Sequence, residues 1–421
     1  MDSFIINGGA RLKGTVRIGG SKNAALPIMA ASILTEGETI LRGVPDLADV
    51  RHLSGLLARL GVNVRREADG ALRLRVEDET NCHAEYDLVR KMRASACVMG
   101  PLLARRRQAQ VAMPGGCAIG DRPIDIHLRG LAALGAEIDL VGGDIQLRSK
   151  HLRGREVFLG GPFGSTVLGT ANVMMAAALA EGSTVIEYAA CEPEVADLAD
   201  YLNACGAHIR GHGTPRITIE GVRSLRGCEY TPIPDRIEAG SFLVAAALTN
   251  GELTLTNCRL DHLVAAVDRL RAVGVNVERS GDGAVVSSSR RLEPITITTQ
   301  PYPGFPTDLQ AQFMALLCLA DGNSVITEKI FPDRFLHVAE LSRMGAKLRK
   351  EGPTVIIEGV KRLVGAPVMA SDLRASAALV LAALVARGQT RVARVYHLDR
   401  GYERFDEKLA AVGADLRRVP E

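Results

Sequence analysis

Two rhythms of hydrophobic and polar positions run through the 421-residue chain. The first is strict alternation, as in Arg216-Ile217-Thr218-Ile219-Glu220-Gly221-Val222, which predicts a strand with one buried face. The second is apolar nearly all round, as in Ala24-Ala25-Leu26-Pro27-Ile28-Met29-Ala30-Ala31 and Phe242-Leu243-Val244-Ala245-Ala246-Ala247-Leu248, and predicts a buried helix. Helices of this second kind are expected over 23–37, 95–107, 170–182, 239–251, 309–322 and 373–388. Each ends on a glycine stop signal except the second, where Arg107 stands instead. A more amphipathic helix, such as Val50-Arg51-His52-Leu53-Ser54-Gly55-Leu56-Leu57, follows in each case.

These elements repeat. The pattern apolar-Gly-Ala/Val-x-apolar places glycines at 61, 135, 206, 274, 345 and 413, with separations of 74, 71, 68, 71 and 68. Six units of about seventy residues result, and each glycine is expected to end a helix in the left-handed conformation. Two helices and several strands per unit predict an α/β fold whose sheets face outward around buried helices. Thr231-Pro232-Ile233-Pro234-Asp235 divides the six units three and three, so two domains are expected, with a ligand site in the cleft between them.

Composition narrows the function. Apolar residues are 47% and charged residues 24%, as in a soluble globular chain, and the net charge is 51 − 48 = +3. That balance, with 4% aromatics and no Trp, speaks against nucleic acid as a partner. The longest apolar run, 375–386, is interrupted only by Ser376 and falls short of the ~20 residues of a membrane helix. Met1-Asp2-Ser3-Phe4 does not read as a signal peptide, and eight cysteines without a C-x-x-C pair read as free thiols, so a cytoplasmic location is expected. No H-E-x-x-H, Walker or dinucleotide fingerprint occurs (the Gly-rich 160–166 stretch lacks the Walker lysine), so neither a metal nor a cofactor is expected.

Two features carry candidate chemistry. Pro114-Gly115-Gly116-Cys117-Ala118-Ile119-Gly120-Asp121-Arg122-Pro123 is a loop with one thiol at its middle. Its local sequence is compatible with a small buried thiol or with a thiolate favoured by Arg122. Charged residues also cluster just before the apolar helices, at Ser21-Lys22-Asn23, Arg90-Lys91-Met92-Arg93, Asp235-Arg236-Ile237-Glu238, Pro306-Thr307-Asp308 and Asp372-Leu373-Arg374. A cation there opposes the helix dipole, so Lys22, Arg93 and Arg374 form a candidate phosphate or carboxylate site. His127, His262 and His397 read as surface or capping residues.

Six ordered motifs carry a resemblance across essentially the whole chain. Gly20-Ser21-Lys22-Asn23-Ala24-Ala25, Met92-Arg93-Ala94-Ser95, the 114–123 loop, Asp235-Arg236-Ile237-Glu238-Ala239-Gly240, Gly304-Phe305-Pro306-Thr307-Asp308-Leu309-Gln310-Ala311-Gln312 and Leu398-Asp399-Arg400-Gly401-Tyr402-Glu403 resemble those of the UDP-N-acetylglucosamine 1-carboxyvinyltransferase family. These are enolpyruvyl transferases with an EPSP synthase-like fold. The resemblance implies a two-domain inside-out α/β barrel of six repeats, three per domain. Residues 22–231 would form the N-terminal domain with the Cys117 lid loop, and 1–21 with 232–421 the C-terminal domain.

It also implies partners and roles. Phosphoenolpyruvate would be contacted by Lys22 and Asn23, with Arg122 and Arg400 holding its phosphate and carboxylate. The sugar nucleotide would be contacted by Arg93, by Arg122, Pro123, Ile124, Asp125 and Ile126, and by Asp308 and Ile330. Arg374 would line the anionic pocket. Ser165, Thr166 and Val167 fall in a uridine or diphosphate contact region whose surroundings, Thr166-Val167-Leu168-Gly169-Thr170, depart from the family's common Ser-Val-Gly-Ala-Thr. Ala48 stands where some members carry a lysine and takes no role. Cys117 would be the loop thiol that acts as general acid and forms a covalent adduct with the enolpyruvyl substrate. Asp308 would be the general base, with Lys22 and Arg400 also catalytic.

The implied activity is transfer of the enolpyruvyl group to the 3-hydroxyl of UDP-N-acetylglucosamine, the first committed step of peptidoglycan synthesis, with consequences for cell shape and division. The enzyme would be a monomer or weak homo-oligomer. Two alternatives stand beside it: an enolpyruvyl transferase for shikimate 3-phosphate, against which the Gly-Gly-Cys loop argues, and a non-catalytic repeat scaffold.

Overall fold

The computed structural model describes residues 2–114, 123–288 and 291–420. The chain divides into two compact units. Among the described residues one holds 20–114 and 123–233, the other 2–19 and 234–420.

Each unit contains three four-stranded sheets, six among the described residues. One design recurs, and Glu156–Phe158, Ser183–Glu187, Arg216–Glu220 and His208–Arg210 illustrate it. The first pair is parallel and the others antiparallel, with Ile209 opposite Ile219. Ile217 and Ile219 are fully buried while Arg216 and Glu220 are exposed, as the alternation predicts. The N-terminal strand Asp2–Asn7 lies between Gln389–Ala393 and Asp415–Pro420, and Lys13–Arg17 pairs with Glu252–Thr256. Those ladders bind the start of the chain to the unit formed by its second half.

Inside the sheets lie the apolar helices. Lys22–Ala31, Met99–Arg106 and Val167–Ala177 serve one unit, and Arg236–Leu248, Gln310–Leu317 and Leu373–Ala383 the other. Every residue from Ile237 to Leu248 is buried. This is the inside-out α/β arrangement, and each unit has its own core. The six repeat glycines all have positive φ, and Gly274 caps Val264–Val273 at φ +102°. Arg107 takes the same left-handed region at φ 62° where the other repeats carry glycine.

The apolar helices are shorter than the sequence suggests. The first stops at Ala31, passes through one 3₁₀ turn and enters the strand Thr35–Glu36. Gly37, at φ +84°, turns between strands instead of capping the helix. An all-round apolar run does not distinguish buried helix from the buried start of a strand. The predicted 95–107 helix is likewise split into a 3₁₀ segment, Arg93–Val98, and a helix, Met99–Arg106.

Small residues permit close helix packing. A Cβ placed on Gly100 would lie 2.2 Å from the Asn172 carbonyl oxygen of the facing helix. The Asn172 side chain locks the same contact, accepting from Gly100 N at 2.8 Å and donating to Ala96 O at 3.0 Å. Gly100→Ala would gain helix propensity of about 1 kcal/mol on an exposed helix. Here the backbone clash wins, and a net loss of about 1–3 kcal/mol is expected in denaturant unfolding.

Asp197, on the helix Pro193–Ala204, holds the segment that leads out of this unit. Tyr230 Oη donates to Oδ1 at 2.6 Å and Ile233 N to Oδ2 at 3.1 Å. Burial pushes the carboxyl up to about 6 despite both bonds. Between the unfolded value near 4 and 6 the folded state binds more protons, so this group's contribution to stability falls as pH rises. His337, pushed down to about 4 by burial, works in the opposite sense. The effect of Asp197 is therefore read as a difference: Asp197→Asn should unfold with a more positive stability slope than the parent between pH 4 and 6. Equal slopes would refute it.

Candidate functional site

In the unit formed by residues 20–114 and 123–233, the motif lysine opens the helix Lys22–Ala31. Ser21 caps that helix, its Oγ accepting from Ala24 N. Lys22 faces the positive end of the helix dipole and is only 8% exposed. Its charge is offset by Asp49, with Nζ to Oδ2 at 2.9 Å and Asp49 itself buried. Asn23 follows on the same turn, half-buried. Arg93 begins the 3₁₀ segment, and its Nη1 donates to Pro114 O at 3.3 Å. It therefore anchors the residue that precedes the Gly-Gly-Cys motif. Cys117 and Arg122 lie outside the described residues.

Pro123 is exposed, buried Ile124 caps the helix Asp125–Ala133, and Asp125 is an exposed acid in its first turn. Ile126 lies against the Gly160–Ser165 hairpin, its Cδ1 2.5 Å from where a Gly161 Cβ would stand. Ser165 is paired in that hairpin. Thr166 caps the next helix through Gly169 N, and Val167 opens it. The structure thus brings the 123–126 and 160–167 stretches together, and Thr166 has a structural task of its own.

The other unit holds the denser electrostatics. Asp308 sits in the turn Thr307–Leu309 ahead of the helix Gln310–Leu317. Arg334 Nη1 reaches its Oδ1 and Arg374 Nη2 its Oδ2, both at 2.8 Å. Burial by itself would raise the Asp308 pKa. The guanidinium groups of Arg374 and Arg334 outweigh it and hold the carboxyl well below the usual range. Arg374 is the second residue of the helix Leu373–Ala383, whose cap Asp372 accepts from Arg374 N and Ala375 N. Its guanidinium lies over the Tyr402 ring, 5.4 Å from the centroid. Tyr402 Oη is fixed by Ser241 Oγ at 2.7 Å and Gln312 Nε2 at 3.1 Å.

Arg374 is 2% exposed, and its Nε and Nη1 have no hydrogen-bond partner among the described residues. Buried donors left over in this way suit an anion. Arg400 closes the 3₁₀ segment Val395–Arg400, half-buried and two residues before Tyr402. Ile330 is half-buried, its backbone N–H donating to Glu328 at 2.8 Å. Among the described residues no group of three or more His, Cys, Asp or Glu could hold a metal, and no helix is long and apolar enough to cross a membrane.

Two partners escape the sequence reading. Asp49 and Arg334 complete the ion pairs of Lys22 and Asp308. Arg334 precedes an amphipathic helix, His337–Arg343, so the signal of charge before an apolar helix is absent there. Asp49 lies in the first turn of Ala48–Arg59, where an acid is ordinary.

The model for EPSP synthase (3-phosphoshikimate 1-carboxyvinyltransferase) matches residues 6–409, and the chain belongs to that family. Within it, the chain is 54% identical to the UDP-N-acetylglucosamine 1-carboxyvinyltransferase of Methylacidiphilum infernorum, over 100% of this chain and 99% of that one. It is 55% identical to the protein of the same name from Anaeromyxobacter dehalogenans, over 100% of both. Among solved structures, the enolpyruvyl transferase NikO from Streptomyces tendae superposes with a TM-score of 0.89 at 24% identity, covering 100% of this chain and 99% of that one. The EPSP synthase of Acinetobacter baumannii gives 0.77 at 19%, covering 100% of both. At those identities the likeness speaks for the fold.

Proposed function

We propose that this protein transfers the enolpyruvyl group of phosphoenolpyruvate to the 3-hydroxyl of UDP-N-acetylglucosamine, releasing phosphate. The observation that carries the reading is full-length identity of 51–55% to proteins named for that reaction, against 19% to an EPSP synthase. The sugar hydroxyl adds to C2 of phosphoenolpyruvate and a proton goes to C3, giving a tetrahedral ketal. The C2–O bond to phosphate then breaks, a proton leaves C3, and the enol ether remains.

In this reading Asp308 takes the hydroxyl proton and Cys117 delivers the proton to C3. Lys22, Arg122, Arg374 and Arg400 offset the charge of phosphoenolpyruvate and of the departing phosphate. Asn23 joins Lys22 on phosphoenolpyruvate. Arg93, the 122–126 segment, Asp308 and Ile330 hold the sugar nucleotide, with Ser165, Thr166 and Val167 on its uridine or diphosphate side. Arg374 supports this assignment because two of its buried donors remain for an anion. The reading carries a cytoplasmic place in peptidoglycan synthesis, and a monomer or weak homo-oligomer. Phosphate release from phosphoenolpyruvate is the test. Release with UDP-N-acetylglucosamine, and none with shikimate 3-phosphate, is expected. The reverse would assign the acceptor of the EPSP synthases, and release with neither would refute transferase activity on these acceptors.

A further inference from the structure

Glu328 is fully buried and the chemistry above does not use it. Among the described residues no cation pairs with it, and its carboxylate is satisfied by two hydroxyls and two backbone N–H groups. Thr299 Oγ1, Ile330 N and Phe331 N donate to Oε1, at 2.6, 2.8 and 3.0 Å. Thr307 Oγ1 donates to Oε2 at 2.8 Å. A buried carboxylate is costly unless it is hydrogen-bonded, so four donors on one group make a rigid anchor.

What the anchor holds is specific. Thr307 precedes Asp308, and its Oγ1 also accepts from Arg334 Nη1 at 3.1 Å. Arg334 Nη1 reaches Asp308 Oδ1 as well. The chain Arg334 → Thr307 → Glu328 therefore has a fixed direction: guanidinium donates to hydroxyl, hydroxyl donates to carboxylate. Glu328 also ties down the turn that carries Ile330, four residues before Arg334.

We propose that Glu328 is a positioning residue, acting through Thr307 to hold the Asp308 carboxylate and the Arg334 guanidinium where the acceptor hydroxyl is deprotonated. The proposal rests on the transferase reading above and extends it to a group that touches no substrate.

Glu328→Gln isolates the link. Three donors converge on Oε1, so the amide oxygen must stay there and the amide NH₂ must face Thr307. The Thr307 hydroxyl then meets two donors and its own proton loses its acceptor. Thr307→Val removes the hydroxyl at nearly constant shape, and Thr307→Ser keeps it. Steady-state phosphate release is measured with both substrates, alongside thermal unfolding. The expected result is a fall in kcat of about 10²-fold for Glu328→Gln and for Thr307→Val, a misplacement-sized effect. KM for UDP-N-acetylglucosamine should stay within about threefold, because Ile330 keeps its anchor at Oε1. Thr307→Ser should keep the parent rate, and the double variant should be no slower than the slower single one. If Glu328→Gln fails to fold, the half-buried Thr307 variants decide.

An unchanged kcat in a folded variant, a loss in KM alone, or effects that multiply in the double variant would overturn the proposal while parent turnover leaves the transferase reading standing. No acceptor-dependent release from the parent enzyme would overturn both.

Discussion

Asp308→Asn is expected to lower kcat by about 10²–10⁴-fold, the range a positioned general base supplies. Asparagine keeps the shape and cannot take a proton. The native carboxylate is held well below the usual range by Arg374 and Arg334 against the opposing effect of burial, so it is ionised throughout the neutral region. The rate should then show no acid limb from this residue above about pH 4. So strongly stabilised a carboxylate is a weak base.

The same substitution leaves two buried guanidinium groups facing each other without the shared carboxylate. A loss of about 3 kcal/mol is expected, the low end for a broken buried pair, because Asp308 keeps 26% of its side-chain surface exposed. Its folded pKa is depressed, so the stability it contributes is present above the unfolded value near 4 and is lost as pH falls towards the folded one. Steady-state kinetics and unfolding midpoints check both parts. A pure KM effect would make Asp308 a binding residue only.

Cys117→Ser is expected to reduce turnover at neutral pH by about 10²-fold or more while the protein stays folded. A serine hydroxyl is a far weaker acid than a thiol, so it cannot deliver the proton to C3 at a comparable rate. The other cysteines sharpen the companion test. Burial pushes the thiols of Cys97, Cys205, Cys258 and Cys318 up to about 12, so they stay protonated and unreactive at neutral pH. Thiol alkylation should therefore inactivate the parent enzyme through Cys117 while leaving those four thiols unlabelled. Near-parental turnover in Cys117→Ser would remove the acid role.

Much of the architecture was legible because it is written in local periodicity. The alternation in 216–220 became a strand with Ile217 and Ile219 inside, and the all-round apolar stretch 239–248 became a helix with no exposed face. The six motif glycines adopt the left-handed conformation that ends a helix. Helix ends were less legible. Gly37 looks like a stop signal, yet the helix before it ends at Ala31 and the strand Thr35–Glu36 intervenes, because buried extended chain is as apolar as buried helix.

The cations of the candidate site were visible individually. Lys22 and Arg374 stand at the starts of apolar helices, where a positive charge opposes the dipole and asks for an anion. Which anion answers is not a local property. Asp49 is 27 residues from Lys22, and Asp308 is 26 from Arg334 and 66 from Arg374.

The sequence by itself determined the repeat, the buried helices, the outward sheets and the family, since each rests on residue types at short or regular spacing. Only the tertiary structure decided that Asp308 is shared by two guanidinium groups, that Lys22 is neutralised by Asp49, and that Glu328 anchors the Asp308 turn through Thr307. Electrostatic pairing depends on distances of a few ångströms between residues far apart in the chain, and only folding sets those distances.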